Sequence, residues 1–312
     1  MHKYYSLMAS GALVLLSIHA AAQTPTSAER FFKDGQKKFA QGDLESAAQD
    51  FSRAIEISSR LGPPEKSGLK AVSQLAASDA NANIRVIDPF TARAYAGRGV
   101  VKYRQHFLDD ALADFNAALR IDPRMAVAYI DRGVIYRFKG ELDAACADFD
   151  RAISIDSKLF EAYTDRADVR LERGDVAGAM KDLDRALSLQ PTSAESHSLL
   201  GYARLARNEM EPAISSFSRA LEINPNLASA YQGRGNAEVR LGQIEASIAD
   251  YNHALQIDPD MAFAYENRGL AWMLKGDDDK AEADFERCLK LRPDLKAELA
   301  RRTELAKALR KP

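Results

Sequence analysis

A fixed period constrains this chain more than any other feature. Prolines stand at 89, 123, 191, 225, 259 and 293, Ser157 fills the one gap, and every interval is 34 residues. Such regularity marks an array of like units, each too small to bury a core of its own and so obliged to lean on its neighbours. Counting back from these marks gives six contiguous units beginning at Ala92, Ala126, Phe160, Ala194, Ala228 and Ala262, and a detached one beginning at Ala28.

Each unit reads as two helices. In the second half, apolar residues fall at i, i+4, i+7 and i+8, one face of an α-helix: Ala47, Phe51, Ala54 and Ile55 in the first unit, Ala213, Phe217, Ala220 and Leu221 in a later one. The first half carries a ring near its start, as at Tyr129, and a small residue four positions on, as at Gly133. Small residues let two backbones approach, and the ring is expected to fill the space beside them. Between the halves, Gly42, His106, Gly140, Gly174, Asn208, Gly242 and Gly276 share one position. A left-handed turn residue is predicted there, since glycine adopts positive φ freely and Asn and His tolerate it next best. Proline then stops each second helix.

Two positions also change together. Arg98, Arg132, Arg166, Arg234 and Arg268 are each followed sixteen residues later by Asp114, Asp148, Asp182, Asp250 and Asp284, whereas the unit from Ala194 has Leu200 and Ser216 instead. That pairing predicts an ion pair between the two helices of one hairpin.

The recurrence of Tyr129, Gly133, Tyr136, Gly140, Ala145, Phe149 and Ala152 resembles the tetratricopeptide repeat family. The resemblance implies an all-α, right-handed superhelical solenoid of about seven hairpins with a C-terminal capping helix. Laid on this chain, it gives a first unit at 28–61, an irregular insert at 62–91, six contiguous units at 92–295 and a capping helix at 296–312. The insert has two readings, a long connection containing a short helix from Ser67 to Ala77, or a lid over a binding groove.

The resemblance also implies function: a non-enzymatic protein–protein interaction scaffold or adaptor, holding a peptide or helix of a partner in a concave groove lined by the first helices. Carried over residue by residue, the groove positions include Arg93, Val100, Tyr103 and Arg104, then Val127, Ile130, Val134, Arg137 and Phe138. Glu161, Asp168, Leu171 and Glu172 follow, then Glu195 and Tyr202, then Asn236 and Arg240. Such a groove is basic and aromatic early, acidic in the middle and polar later. Tyr103, Ile130 and Phe138 are candidates to anchor apolar side chains, and Arg104 or Arg137 to take a carboxylate. The alternative is a structural component of a cell-envelope assembly that meets partners through its convex face or its ends.

Composition removes other classes. Lys and Arg number 43 against 45 Asp and Glu, so no basic surplus exists to neutralise nucleic-acid phosphates. His106, His197 and His253 each replace a residue of ordinary structural role in the repeat, which leaves no metal-ligand set. Cys146 and Cys288 lie four units apart, too far for a disulfide. No nucleophile, base and orienting group can be assembled, so neither catalysis nor a cofactor is expected. Residues 1–22, with Lys3, an apolar run from Leu7 to Ile18 and Ala20-Ala21-Ala22, have the layout of a secretory signal peptide. Cleavage there takes the net charge from −2 to −3 and sends the protein to the periplasm or outside the cell; retention would leave it as an anchor.

Overall fold

The 3.6-residue patterning becomes fifteen α-helices among the described residues, 27–60 and 89–309 of this computed structural model, with no strand among them. In chain order these are α1 (Ser27–Ala40), α2 (Leu44–Arg60), α3 (Pro89–Arg104), α4 (Leu108–Ile121), α5 (Ala126–Phe138), α6 (Leu142–Ile155), α7 (Phe160–Glu172) and α8 (Val176–Leu189). They continue as α9 (Ala194–Ala206), α10 (Met210–Ile223), α11 (Ala228–Arg240), α12 (Ile244–Ile257), α13 (Ala262–Lys275) and α14 (Asp278–Leu291). A 3₁₀ turn at Pro293–Leu295 leads into α15 (Lys296–Leu309). Odd helices from α1 to α13 are the first halves of the sequence repeat and even ones the second, giving an all-α solenoid that ends in α15. The signal segment at 1–22 and positions 62–88 of the insert, with its Ser67–Ala77 helix, lie outside the described residues. Positions 89–91 were assigned to the insert but are helical and open α3. A proline in the first helical turn gives up no hydrogen bond, so Pro89 starts a first helix where its counterparts follow a second one.

The described residues form two compact units, one up to Val101 and one from Lys102. In the first, Phe32, Ala47, Phe51, Ala54, Ala94 and Val101 make the core. A methyl group at Gly35 would come within 3.0 Å of the Phe51 ring, and one at Gly97 within 2.8 Å. The second unit repeats the arrangement between contiguous hairpins, where Phe217 lies against Gly201, 2.6 Å from a methyl there, and against Gly233 of the next hairpin. Likewise Arg98 Nη1 donates to Ser52 Oγ at 3.1 Å, as Arg234 Nη1 does to Ser218 Oγ at 3.1 Å. The α1–α2 hairpin thus meets α3 in the register of a directly following repeat, despite the segment between them. Loop length is cheap in free energy, so a stacked register survives an insertion.

All seven turn residues have positive φ, including His106 at 65° and Asn208 at 62°. The ion pairs form as well. Arg132 reaches Asp148 through Nε at 2.7 Å and Nη2 at 2.6 Å, and Arg166, Arg234 and Arg268 hold Asp182, Asp250 and Asp284 in the same two-pronged way. Arg98 and Asp114 belong to different compact units, and within its own unit Asp114 bonds Lys102 at 3.0 Å. Each of the four arginines also sends Nη1 to the second helix of the preceding hairpin, to Asn116, Asp150, Ser218 or Asn252. One side chain therefore ties three helices together, a wider reach than a bond within one hairpin.

One expectation about packing is corrected. The ring at the start of each first helix does not fill the gap at the small residue; Tyr129, Tyr163, Tyr231 and Tyr265 lie under these same arginines, 5.5–5.6 Å away. The gap is filled from the second helix, by Phe149 over Gly133, Tyr251 over Gly235 and Phe285 over Gly269. His253 stacks on Tyr231 at 5.1 Å, just as Arg185 and Arg287 lie over Tyr163 and Tyr265 in their hairpins.

Candidate functional site

The face that the repeat assigns to partner binding runs along the odd helices. Arg93 and Val100 belong to the first compact unit, where exposed Arg93 lies over the Phe90 ring at 5.9 Å and Val100 is half-buried. In the second unit, Tyr103 is buried with 9% of its surface exposed, so it serves packing rather than an open anchor, and Arg104 is half-buried. Ile130 and Val134 pack on the Phe149 cluster, and Leu171 packs on the cluster around Leu183. Val127 and Phe138, each 44% exposed, are the apolar groove residues that present substantial surface.

Arg137, a candidate for a partner's carboxylate, already holds two carboxylates of the chain. Its Nη1 lies 2.5 Å from Asp168, and its Nε and Nη2 donate to Glu172 at 2.9 and 2.5 Å. Helix periodicity places Glu161, Asp165, Asp168 and Glu172 on one side of α7. Asp131 on α5 and Glu195 on α9 flank them, and α7 is tied to α9 by a buried contact of Thr164 Oγ1 with Ser196 Oγ at 2.7 Å. Burial pushes the Asp131 carboxyl up to about 7. Burial, then Asp168, push Glu195 up to about 7 against the opposing pull of Arg137. Asp168 rises to about 6, its burial outweighing Arg137. Burial, then Glu195 and Asp168, hold the Asp165 carboxyl well above the usual carboxylate range against the pull of Arg137. It is 6% exposed, and its Oδ2 has no hydrogen-bond partner.

Asp131 and Asp165 were not among the groove positions drawn from the repeat. They stand at the sixth position of their units, where Gly97 and Gly233 sit against Phe51 and Phe217. The available signal was a carboxylate at a position that two other units keep as glycine against a ring, while Lys33, Leu199 and Asn267 fill it in the rest.

Further along, the same face is filled from within. Tyr202 donates its hydroxyl to the Ser229 carbonyl at 2.5 Å and packs edge-on against Phe217. Asn236 accepts from Tyr251 and from Asn267, each at 2.9 Å, and Arg240 donates to the Leu205 carbonyl at 3.3 Å. Helix α15 lies on α13 there. Its Arg302 bonds Glu266 at 2.6 Å and Asn267 at 3.0 Å, while Leu305, Ala306 and Leu309 wall a cavity of about 430 Å³ together with Asn236, Val239, Leu270 and Leu274. The expected capping helix therefore covers groove positions and does more than shield the last hairpin.

Both cysteines are free; Cys288 is buried and its thiol is pushed up by burial, while Cys146 is only half-buried. Among the described residues no group of His, Cys, Asp or Glu could hold a metal ion, and no helix is long and apolar enough to cross a membrane.

No curated protein matches the chain. Solved structures do. A tetratricopeptide repeat protein from Parabacteroides merdae is 18% identical, with a TM-score of 0.64 over 89% of this chain and 99% of that one. A chain of the APC/C hetero-tetramer Cut9-Hcn1 is 17% identical, with a TM-score of 0.66 over 89% of this chain and 56% of its own. PilF of Pseudomonas aeruginosa is 20% identical, with a TM-score of 0.57 over 66% and 97%. At these identities the likeness establishes the fold. Family models described as tetratricopeptide repeat match residues 96–159, 164–228 and 262–295, and one described as TPR repeat matches 235–276. With more than half of the chain so matched, and with hairpins that reproduce the repeat's turn, stripe and stacking, this protein belongs to the tetratricopeptide repeat family.

Proposed function

We propose that the protein is an exported, non-catalytic adaptor that holds an extended segment or helix of another protein on the odd-helix face between α5 and α9. Tetratricopeptide repeat proteins in general serve as interaction scaffolds, and their surfaces rather than their fold decide the partner. The observation that carries the reading is the contrast along this one face. Beyond α11 the sunken carboxylate Glu266 is met by Arg302 of α15, whereas between α5 and α9 the carboxylates outnumber their cation, Asp165 keeps an unbonded oxygen, and Val127 and Phe138 are exposed on α5. Exposed apolar side chains rimmed by charge are the ordinary make-up of a protein-binding patch. The layout of residues 1–22 supports export, with the periplasm or the cell exterior as destination.

Photo-crosslinking residues placed at Val127 and Phe138 test the groove, with one at Asp184, exposed on α8, as the control for the opposite face. The expected result is capture of discrete partners at Val127 and Phe138, identified by mass spectrometry. Capture at Asp184 alone would favour the structural component that works through the convex face.

A further inference from the structure

We infer that the α5–α7–α9 stretch of the groove is a receptor for a basic side chain, an Arg or Lys on an extended segment of the partner; this rests on the groove reading above. Three observations carry it. First, Glu161, Asp165, Asp168 and Glu172 of α7 and Glu195 of α9 lie together, and Arg137 of α5, the cation beside them, is already engaged by Asp168 and Glu172. Second, Asp165 is 6% exposed with Oδ2 unbonded, an acceptor sunk beside Glu195, Asp168 and Glu161 that no described residue supplies with a donor. Buried acceptors in native proteins are ordinarily satisfied, so an orphan in a groove points to a donor arriving from outside. Third, the chain itself shows the mode of seating. On the equivalent face of α13, Glu266 is 1% exposed and is met by Arg302 of α15, whose guanidinium also reaches Asn267.

The chemistry favours an organic cation. The carboxyls are spread along α7 and onto α9 and do not form a metal-ligand group. A guanidinium or ammonium can instead bring its charged head into the acidic pocket while its apolar stem stays along the wall of the groove. A charge entering this desolvated cluster relieves repulsion among the acids and supplies Asp165 with its missing donor.

The test uses the full chain and a fluorescent heptapeptide of glycine and serine carrying two arginines, read by anisotropy at low salt, with a two-glutamate peptide as comparison. The arginine peptide binds and the glutamate peptide does not. The double change Asp165→Asn with Asp168→Asn weakens binding by ~10-fold or more, about 1.4 kcal/mol. Neutralising exposed Asp109 and Asp110 instead leaves binding within about twofold, because solvent screens them. Should the first pair disturb folding, Glu161→Gln with Glu195→Gln serves the same purpose from the flanks. Equal loss from both sites, displacement by spermidine as readily as by unlabelled peptide, or no binding of the arginine peptide would each overturn the inference. Crosslinking at Phe138 separates the two readings. Partner capture that persists undiminished in the Asp165→Asn, Asp168→Asn protein sinks the basic-residue receptor alone, whereas no capture at any groove position in the unaltered protein sinks the groove itself.

Discussion

Asp165 and Glu266 are both carboxylates sunk into the same odd-helix face, and the chain treats them oppositely. Glu266 is met by Arg302 at 2.6 Å and shares it with Asn267, beneath a helix that closes the end of the groove. Asp165 has mostly neighbours of its own sign, with Arg137 the exception, and among the described residues it has an unbonded oxygen and no helix laid over it as α15 lies over α13. The fold is the same in both places, so the difference is one of occupancy. At one end the chain supplies its own helix and cation, and in the middle none of the described residues does so. A buried acid that is paired belongs to the structure; one left unpaired costs stability, and groups kept at such cost gather at functional sites.

The largest effect that bears on this contrast is a loss of packing. Phe149→Ala removes a ring with no exposed surface from beside Gly133 and should cost about 3–5 kcal/mol. Because repeats support mainly their neighbours, hydrogen exchange should quicken in α5–α8 while α11–α15 keep their protection. Uniform quickening would show that middle and end are one cooperative block and that the comparison has no thermodynamic meaning. Next in size, Arg302→Ala should lower stability by about 2–3 kcal/mol, below the ~3–5 of fully enclosed pairs because Arg302 keeps part of its surface in water. Loosening should concentrate in α13 and α15, and an unchanged melting curve would make α15 an ornament rather than an occupant.

Asp165→Asn sharpens the contrast by sign. The change should leave stability little altered at acid pH, where burial already keeps the carboxyl neutral, and raise it increasingly as pH climbs, since an unpaired buried charge is lost rather than a bond. Glu266→Gln should do the reverse. If both variants lose stability alike, the middle acids are satisfied in a way the geometry does not reveal. The smallest effect is a slope with pH. Asp131 and Glu195 titrate near 7 and Asp168 near 6, all above their unfolded values, so between about pH 4 and 7 the folded chain binds more protons than the unfolded one. Stability from these groups is therefore present in full at the acid end of that window and is lost as pH rises through 6–7. The melting temperature should climb on going from pH 8 to pH 5.5, and the climb should flatten in Asp131→Asn, Glu195→Gln protein. A flat profile in the unaltered protein would mean these acids are solvated.

Much of this molecule was legible before any coordinate. The interval of 34 residues, the glycine-like turn position and the covarying Arg and Asp foretold the hairpins, the left-handed turns at His106 and Asn208 and the ion pairs, because each depends on residues close in sequence or related by the repeat. The groove was only partly legible. Family positions pointed to the odd helices, yet they assigned Arg137 to a partner when it is engaged by Asp168 and Glu172 from the next hairpin, and they passed over Asp131 and Asp165.

What the sequence determined by itself was therefore everything periodic: helix phase, turn residue, stacking register and the need for neighbours. Those follow from local sterics and from the amount of apolar stripe each hairpin must bury. What only the tertiary structure decided was which charges are matched. Whether Arg137 is spent, whether Asp165 has a donor, and whether α15 stands beyond the last hairpin or lies across its groove all turn on side chains tens of residues apart meeting at a few ångströms. Pairing of that kind falls off so steeply with distance, and depends so strongly on burial, that no pattern along the chain could have stated it.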